Sequence, residues 1–429
     1  MKLENLKGTK DFLPKEQTIR ENVRRKLEST FETYGFMPVE TPTICYFDLL
    51  SYKYGGGDEI LKEVYRLKDQ GNRDLGLRYD LTVPFTKIIG MNPYLKMPFK
   101  RYEIGKVFRD GPVKKGRLRE FTQCDVDVVG VKSMMAEAEL MSMVFDVFDK
   151  LKLDVYIYYN NRKLLYGILE SIGTRKEDLS NIVLSLDKIK KIGSEGVIRE
   201  LIEKGIGNNI IEKLKKLIED KNINDLEYLL ENYKSPKTLE GIDELKNLNS
   251  YLQELDLLDK VKFNPFLARG LDIYTGTIYE VFLSDGSITS SIGSGGRYDN
   301  IIGSFLNNNK EYPAVGLSFG LDVIYTALLD KNQNINKPLV DLIIIPMGRG
   351  IKTLKIANDI RKLGVKVDID MTNKKLGKKL KGVDKRNIPY VIIIGEDELK
   401  NGKVKIKNMK TGKEEEVEIE NIGGYVKGN

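Results

Sequence analysis

Histidine and tryptophan are absent from the 429 residues, and cysteine occurs only twice, at Cys45 and Cys124. Without histidine there is no Ser-His-Asp triad, no imidazole acid or base and no His-ligated zinc. Two cysteines build neither a disulfide framework nor a four-ligand zinc site, so no zinc and no bound metal of the protein's own is expected. No run approaches the ~18 consecutive apolar residues of a membrane-spanning helix, and no charged-then-apolar leader opens the chain. Neither a membrane segment nor a secretory signal is expected, which points to the cytoplasm. Any chemistry here must use Arg, Lys, carboxylates, backbone amides or a cofactor.

What the chain does have is a length and balance suited to a soluble enzyme. Hydrophobic residues make up 41% and charged residues 31%, and 429 residues suit two or three domains at roughly 150 residues each. The net charge of +7 is unevenly placed. Residues Pro338–Asn429 hold 20 Lys+Arg against 13 Asp+Glu, so the first 337 residues are neutral. A basic module on a neutral body suits contact with a polyanion; a solvated Lys-rich surface accounts for it equally well.

The patterning divides the chain further. Ile19, Val23, Leu27 and Phe31 form one stripe of a helix that begins after Pro14 and ends at Gly35. Residues Asp74–Gly130 read as short strands and turns, and a Met-rich helix follows from Ser133 to about Leu151. From about 163 to 255, Lys, Glu, Leu and Ile recur at helical spacing, with Ile210, Ile211, Leu214, Leu217 and Ile218 on one face. This reads as a helical insertion between two β-rich parts of one domain, 1–329. Strands are expected at Thr277–Leu283, Ser287–Ile292 and Ala314–Ser318. Residues 330–337 read as a linker, and 338–429 as a small α/β domain with a partly parallel sheet.

Three segments carry polar groups suited to an anionic ligand. In Phe108–Phe121 two apparent strands flank a loop, with five cations in fourteen residues. Arg109 and Arg119 are expected to face each other across this hairpin, where their planar forks can bind phosphate or carboxylate oxygens in pairs. Leu267–Gly276 and Gly293–Asp299 combine glycines with an Arg and a Tyr each, as loops whose backbone can approach a ligand closely. Neither matches GxxxxGK[ST] or a strand-leading GxGxxG, so a nucleotide site would be neither a P-loop nor a Rossmann site.

These segments, with GTKDFLP (Gly8–Pro14), Thr41-Pro42 and LRYDLTVP (Leu77–Pro84), resemble class II aminoacyl-tRNA synthetases. LARGLDIYTG (Leu267–Gly276) and SGGRYD (Ser294–Asp299) resemble the signatures of the histidyl-tRNA synthetase family in particular. The resemblance covers nearly the whole chain. It implies an α+β catalytic domain with an antiparallel sheet and flanking helices, a helical insertion, and a C-terminal α/β anticodon-binding domain. It also implies a homodimer formed around Thr41–Leu50, and ATP with Mg²⁺, histidine and tRNA as ligands. Residue by residue, it implies that Arg109 contacts the α-phosphate and the histidine carboxylate, Arg117 the outer phosphates, and Phe121 the adenine. Asp80, Thr82, Gln123 and Asp127 would hold the histidine amino group, the Leu77–Pro84 strand carrying the first two. Arg269 would stabilise charge at the α-phosphate, Tyr274 and Tyr298 would line the imidazole pocket, and Lys114 and Lys115 would face the tRNA acceptor end.

Three positions depart from the family pattern. Val323, after Asp322, stands where an Arg over the adenine is usual, Cys45 where a Glu is common, and Gly111 where an acidic residue is common. The alternative that the resemblance leaves is a non-catalytic, synthetase-like regulatory subunit of ATP phosphoribosyltransferase. Such subunits generally lack the anticodon-binding domain and the Arg of RGLDIYTG.

Overall fold

Ile19, Val23, Leu27 and Phe31 are all buried along one side of the helix Pro14–Thr33, and Gly35 ends it at a positive φ of 78°. The computed structural model describes residues 2–52, 61–113, 116–268, 273–306, 308, 310–331, 338–347, 352–395 and 403–427. They fall into two units, residues 1–331 and 332–429.

The strands of the first unit are β1 (Met37–Pro38), β2 (Ile44–Tyr46), β3 (Arg66–Lys68), β4 (Asp74–Leu77), β5 (Phe99–Phe108), β6 (Glu120–Val129), β7 (Val155–Asn161), β8 (Val261–Phe263), β9 (Thr277–Leu283), β10 (Gly293–Arg297) and β11 (Ala314–Gly320). Eight of them form one sheet in the order β1-β5-β6-β11-β10-β9-β7-β8. Its inner pairs are antiparallel, and only the edge pairs β1/β5 and β7/β8 are parallel. The remaining three form a small sheet, β2-β4-β3.

Alternation along β6 decides which face does what, because successive strand side chains point to opposite sides. Cys124, Val126 and Val128 are buried in the core. Helices Pro14–Thr33, Met135–Leu151 and Leu321–Asp330 cover that side, and Phe31 and Phe148 meet Phe319 of β11 at 5.7 and 6.0 Å. Gln123, Asp125 and Asp127 point the other way.

Three readings of the sequence need correction. Gly293–Arg297, expected as a ligand loop, is the strand β10, and the strand expected at Ser287–Ile292 is not formed. The glycines serve strand packing: a Cβ on Gly295 would lie 2.0 Å from the Gly316 carbonyl oxygen. The segment Leu77–Pro84, expected as a strand, leaves β4 at Leu77 and enters the helix Thr82–Met91. That helix also lies within the region Asp74–Gly130, expected to be short strands and turns. Of the methionines after Ser133, Met134, Met141 and Met143 are buried and Met135 is exposed.

A run of helices from Arg162–Ser171 to Pro236–Glu254 separates β7 from β8. On Asn208–Glu219, Ile211, Leu214 and Leu217 are the buried residues.

The second unit has its own sheet, with β12 (Leu342–Pro346), β13 (Val367–Ile369), β14 (Tyr390–Ile394), β15 (Lys403–Asn408) and β16 (Glu414–Glu418) in the order β13-β12-β14-β15-β16. The first three strands are parallel and the last two pairings antiparallel. Leu342 and Ile344 pack with Ile356 and Ile360 of the helix Thr353–Lys362. Ile343 and Ile345 pack with Val383 of the helix Leu376–Lys385. An unbroken apolar run such as Leu342–Ile345 is what a strand covered on both faces requires.

Candidate active site

The polar face of β6 forms the floor of a cavity of about 610 Å³. Gln123 and Asp125 line it together with Asp80, Thr82, Arg109, Arg117, Phe121, Tyr274, Ser318 and Val323. A chamber of about 40 Å³ lies against its deep side, lined by Asp125, Asp127, Tyr274, Tyr298 and Gly316. Thr82, Asp125, Ile273, Tyr274, Ser294 and Ser318 line both.

The outer end is cationic and aromatic. Arg109 lies at the start of the loop after β5, where its backbone N donates to the Arg119 carbonyl at 2.8 Å. Its Nε donates to the Tyr79 carbonyl at 3.0 Å, and its guanidinium sits 5.1 Å above the Phe121 ring. Arg117 pairs with Glu63 at 3.2 Å. Arg119, expected to face the ligand beside Arg109, instead pairs with Asp110 at 3.1 Å and is absent from the cavity wall. Its backbone N donates to Gly8 O at 2.7 Å, so the loop is backed by the start of the GTKDFLP segment. Glu63 also fills the space beside Gly111, where a Cβ would meet Glu63 Oε1 at 2.6 Å.

The inner end is a buried network of charge. Arg78 Nη1 donates to Glu103 at 2.8 Å, and Thr41 donates to the same oxygen from its N at 3.0 Å and its Oγ1 at 2.8 Å. Arg101, fully buried, lies 3.7 Å from Glu103 and 2.6 Å from Asp127 and 4.2 Å over the Phe85 ring. Asp127 also accepts from the Tyr298 hydroxyl. Burial, followed by the nearby Asp127 carboxylate, holds that hydroxyl well above the usual phenol range, so it stays a donor. Asp80 accepts from Val83 N at 2.9 Å, and Gln123 Nε2 donates to Ser318 Oγ at 2.7 Å. Gln123 Oε1 and Asp125 Oδ1 are buried without a hydrogen-bond partner. Both residues line the cavity, and side chains with an unsatisfied acceptor suit a ligand with positive hydrogens.

The residues expected from the sequence are thus brought together at Asp80, Thr82, Arg109, Arg117, Phe121, Gln123 and Tyr274, with Asp127 and Tyr298 in the chamber. Arg269, Lys114 and Lys115 lie outside the described residues. Arg297, expected to offer its side chain to a ligand, is turned away; it holds Glu137 through two bonds of 2.7 and 2.8 Å. Glu63, Asp125 and Lys191 line the cavity without having been singled out. For Asp125 the signal was available, since it alternates with Gln123 and Asp127. Glu63 and Lys191 come from segments remote in sequence and carry no such signal.

An antiparallel sheet with helices behind it and, in front, a polar-floored cavity with arginines and an aromatic ring at its outer end defines a class II aminoacyl-tRNA synthetase catalytic domain. The histidyl-tRNA synthetase family model matches residues 8–324, and an anticodon binding domain model matches 341–429. The chain belongs to the histidyl-tRNA synthetase family. It is 54% identical to histidine–tRNA ligase 1 of Bacillus cereus, covering 99% of this chain and 100% of that protein. The crystal structure of histidyl-tRNA synthetase from Nostoc sp. PCC 7120 superposes with a TM-score of 0.85 at 28% identity, covering 100% of this chain and 99% of that one. An ATP phosphoribosyltransferase regulatory subunit/histidyl-tRNA synthetase from Bacillus halodurans C shares the fold, with a TM-score of 0.73 over 89% of this chain and 97% of that one. At 18% identity that likeness speaks for the fold alone.

Proposed function

We propose that this protein activates histidine with ATP to histidyl-adenylate and transfers the histidyl group to the 3′ end of its tRNA. The observation that carries the reading is one cavity with arginines and an aromatic ring at its outer end and buried carboxylates at its inner end. An amino acid laid along it points its carboxylate at Arg109 and its ring into the inner chamber, with its ammonium between them beside the carboxylates. The family match over residues 8–324 gives the substrate as histidine. A regulatory subunit is not favoured, because relatives named as ligases match this chain over its full length.

The chemistry suits a chain without histidine. The nucleophile of the first step is a carboxylate already ionised at neutral pH, so no general base is needed. Catalysis rests on positioning and on stabilising the pentacoordinate phosphate, which fixed cations do well in a water-poor site. Arg109 takes the α-phosphate and the substrate carboxylate, Arg117 the outer phosphates, and Phe121 the adenine. Arg269 keeps the charge-stabilising role that the family signature gives it. Asp80, Thr82 and Gln123 hold the ammonium; Asp127, expected there from the sequence, lines only the inner chamber and meets the ring, which Tyr274 and Tyr298 flank. Mg²⁺ arrives on the phosphates of ATP as part of the substrate; among the described residues no group of three or more Cys, Asp or Glu is placed to hold a metal alone. In the second step a non-bridging oxygen of the adenylate accepts the proton of the tRNA ribose hydroxyl.

Lys114 and Lys115 belong with the acceptor end of the tRNA, and the second unit with its anticodon. There, Met347, Leu354 and Met371 lie exposed and line a cavity of about 560 Å³ with Lys374, Lys375 and Lys379. Apolar surface beside cations suits a single strand, whose phosphates the lysines would meet. Exposed Ile44 and Tyr46 of β2 support a homodimer through the Thr41–Leu50 segment. No helix among the described residues is long and apolar enough to cross a membrane, and a cytoplasmic location suits these substrates. Histidine-dependent ATP–pyrophosphate exchange, followed by charging of tRNA, tests the reading; exchange without charging, or neither, would refute it.

A further inference from the structure

Asp125 belongs to none of the pairings that fix its neighbours. It is 3% exposed, and its Oδ1 has no hydrogen-bond partner, while the Ser318 hydroxyl lies on the carboxylate as a donor. In register it stands opposite Glu103 on β5 and Ser318 on β11. The charged or titratable groups that face it are Asp127 on its own strand, Arg101 and Glu103 on β5, Asp80 and Tyr298. Arg101 is engaged by Asp127 at 2.6 Å, and Arg78 by Glu103 at 2.8 Å. Arg101, the cation that acts on Asp125, is thus already engaged by Asp127. A buried carboxylate without its own counter-charge is costly, so the arrangement calls for a cation from outside.

Position says which part of a ligand supplies it. Asp127 and Tyr298 line the inner chamber only, and Arg109 and Gln123 the outer cavity only, whereas Asp125 lines both. With the substrate ring inward and its carboxylate toward Arg109, the group beside Asp125 is the one on the carbon between them. We propose that Asp125 recognises the α-ammonium of histidine, its carboxylate accepting one of the three ammonium hydrogens. This rests on the reading that histidine occupies the cavity. Burial, reinforced by Asp127 and opposed by Arg101, pushes the empty-site carboxyl up to about 7. Near neutral pH a protonated Asp125 accordingly gives up its proton when the ammonium arrives.

The test is titration calorimetry of the full-length protein near pH 7, in two buffers of different ionisation enthalpy. The probes are histidine and its des-amino analogue, 3-(imidazol-4-yl)propionate, which keeps the ring and carboxylate and lacks the ammonium. The protein contains no histidine, so no protein imidazole contributes to the proton count. Wild type is expected to release more protons than D125N on binding histidine, whereas the two should exchange the same number with the analogue, so the ligands' own imidazoles cancel in each comparison. D125N should also weaken histidine binding about 10- to 100-fold, the range for one charge-assisted contact, with analogue binding unchanged. Equal weakening of both ligands would place Asp125 on the ring or in the fold, and unchanged histidine affinity would remove it from recognition; either result overturns the proposal. D125S serves if D125N does not fold, with thermal unfolding as the check. A wild type that binds no histidine refutes the functional reading itself, and the proposal with it.

Discussion

Arg20 of the first helix and Asp322, 302 residues later in the chain, form a buried ion pair. The Arg20 guanidinium also stacks 3.8 Å over the Phe12 ring, and Asp322 accepts from Thr122 N at 2.8 Å. One carboxylate thus joins the first helix, β6 and the helix after β11. Removing one partner of such a pair leaves an uncompensated buried charge. Arg20→Leu should lower stability by about 3–5 kcal/mol in denaturant unfolding. Arg20→Leu with Asp322→Asn should recover much of that loss; no recovery would mean that the pair's charge is not what matters.

Asp125 gives a second expectation, on stability without ligand. Its folded-state carboxyl is raised to about 7 by burial, against ~3.9 in an unfolded chain. The folded form then binds the proton more tightly, so this group's contribution is fully present below pH ~4 and is lost as pH rises through about 7. Asp125→Asn, with nothing to ionise, should exceed wild type in stability above pH 8, by on the order of 2–4 kcal/mol. The difference should vanish below about pH 4. Parallel stability curves across that range would show that Asp125 is ionised throughout.

Much of this was legible from spacing alone, and what was not has physical reasons. The four-residue stripe from Ile19 to Phe31 and the apolar run Leu342–Ile345 each announce the element they form, because burial on one side leaves a period in the sequence and burial on both leaves an unbroken apolar run. Gly293–Arg297 misleads because glycine signals a loop by its backbone freedom, yet here its lack of a side chain lets β10 lie against β11. The gathering of site residues was legible mainly through family signatures. Arg109 and Arg119 look equivalent in the sequence, but Asp110 engages one while Tyr79 O and Phe121 orient the other. Glu63 illustrates what spacing cannot give: it fills the place beside Gly111 from 48 positions away in the chain.

Among the described residues, Arg109 is the cation that the proposed function puts at the reacting phosphate, being fixed by a backbone acceptor and a ring rather than by a carboxylate. Arg109→Ala should lower histidine-dependent pyrophosphate exchange about 100- to 1000-fold, as for loss of one oxyanion donor, with unfolding midpoints close to wild type. Exchange within a few-fold of wild type would assign the α-phosphate to another residue.

The second unit makes a prediction of a different kind. Lys374 and Lys375 line its cavity beside Met371, which is 79% exposed. If they meet tRNA phosphates, Lys374→Gln with Lys375→Gln should weaken tRNA binding at all salt concentrations tested. The slope of log K against log salt should shrink by roughly one for each phosphate that is no longer neutralised. Pyrophosphate exchange needs no tRNA and should be unchanged. An unaltered slope would make these lysines a solvated face.

Gly316 ties sheet packing to substrate binding. It faces Asp127 across the β11/β6 register, and a Cβ there would lie 2.0 Å from Asp127 Oδ1 and 3.1 Å from Val126 O. Asp127 cannot retreat easily, since Arg101 and Tyr298 hold it from two sides. Gly316→Ala therefore forces either the strands apart or the carboxylate off its partners, at a cost of about 1–3 kcal/mol for overpacking. Gly316 and Asp127 both line the chamber proposed for the imidazole, so the variant should raise the KM for histidine far more than that for ATP. If both constants rise together, the damage lies in the sheet as a whole. If neither rises, Asp127 has room to move, and its pairing with Tyr298 does not set the shape of the chamber.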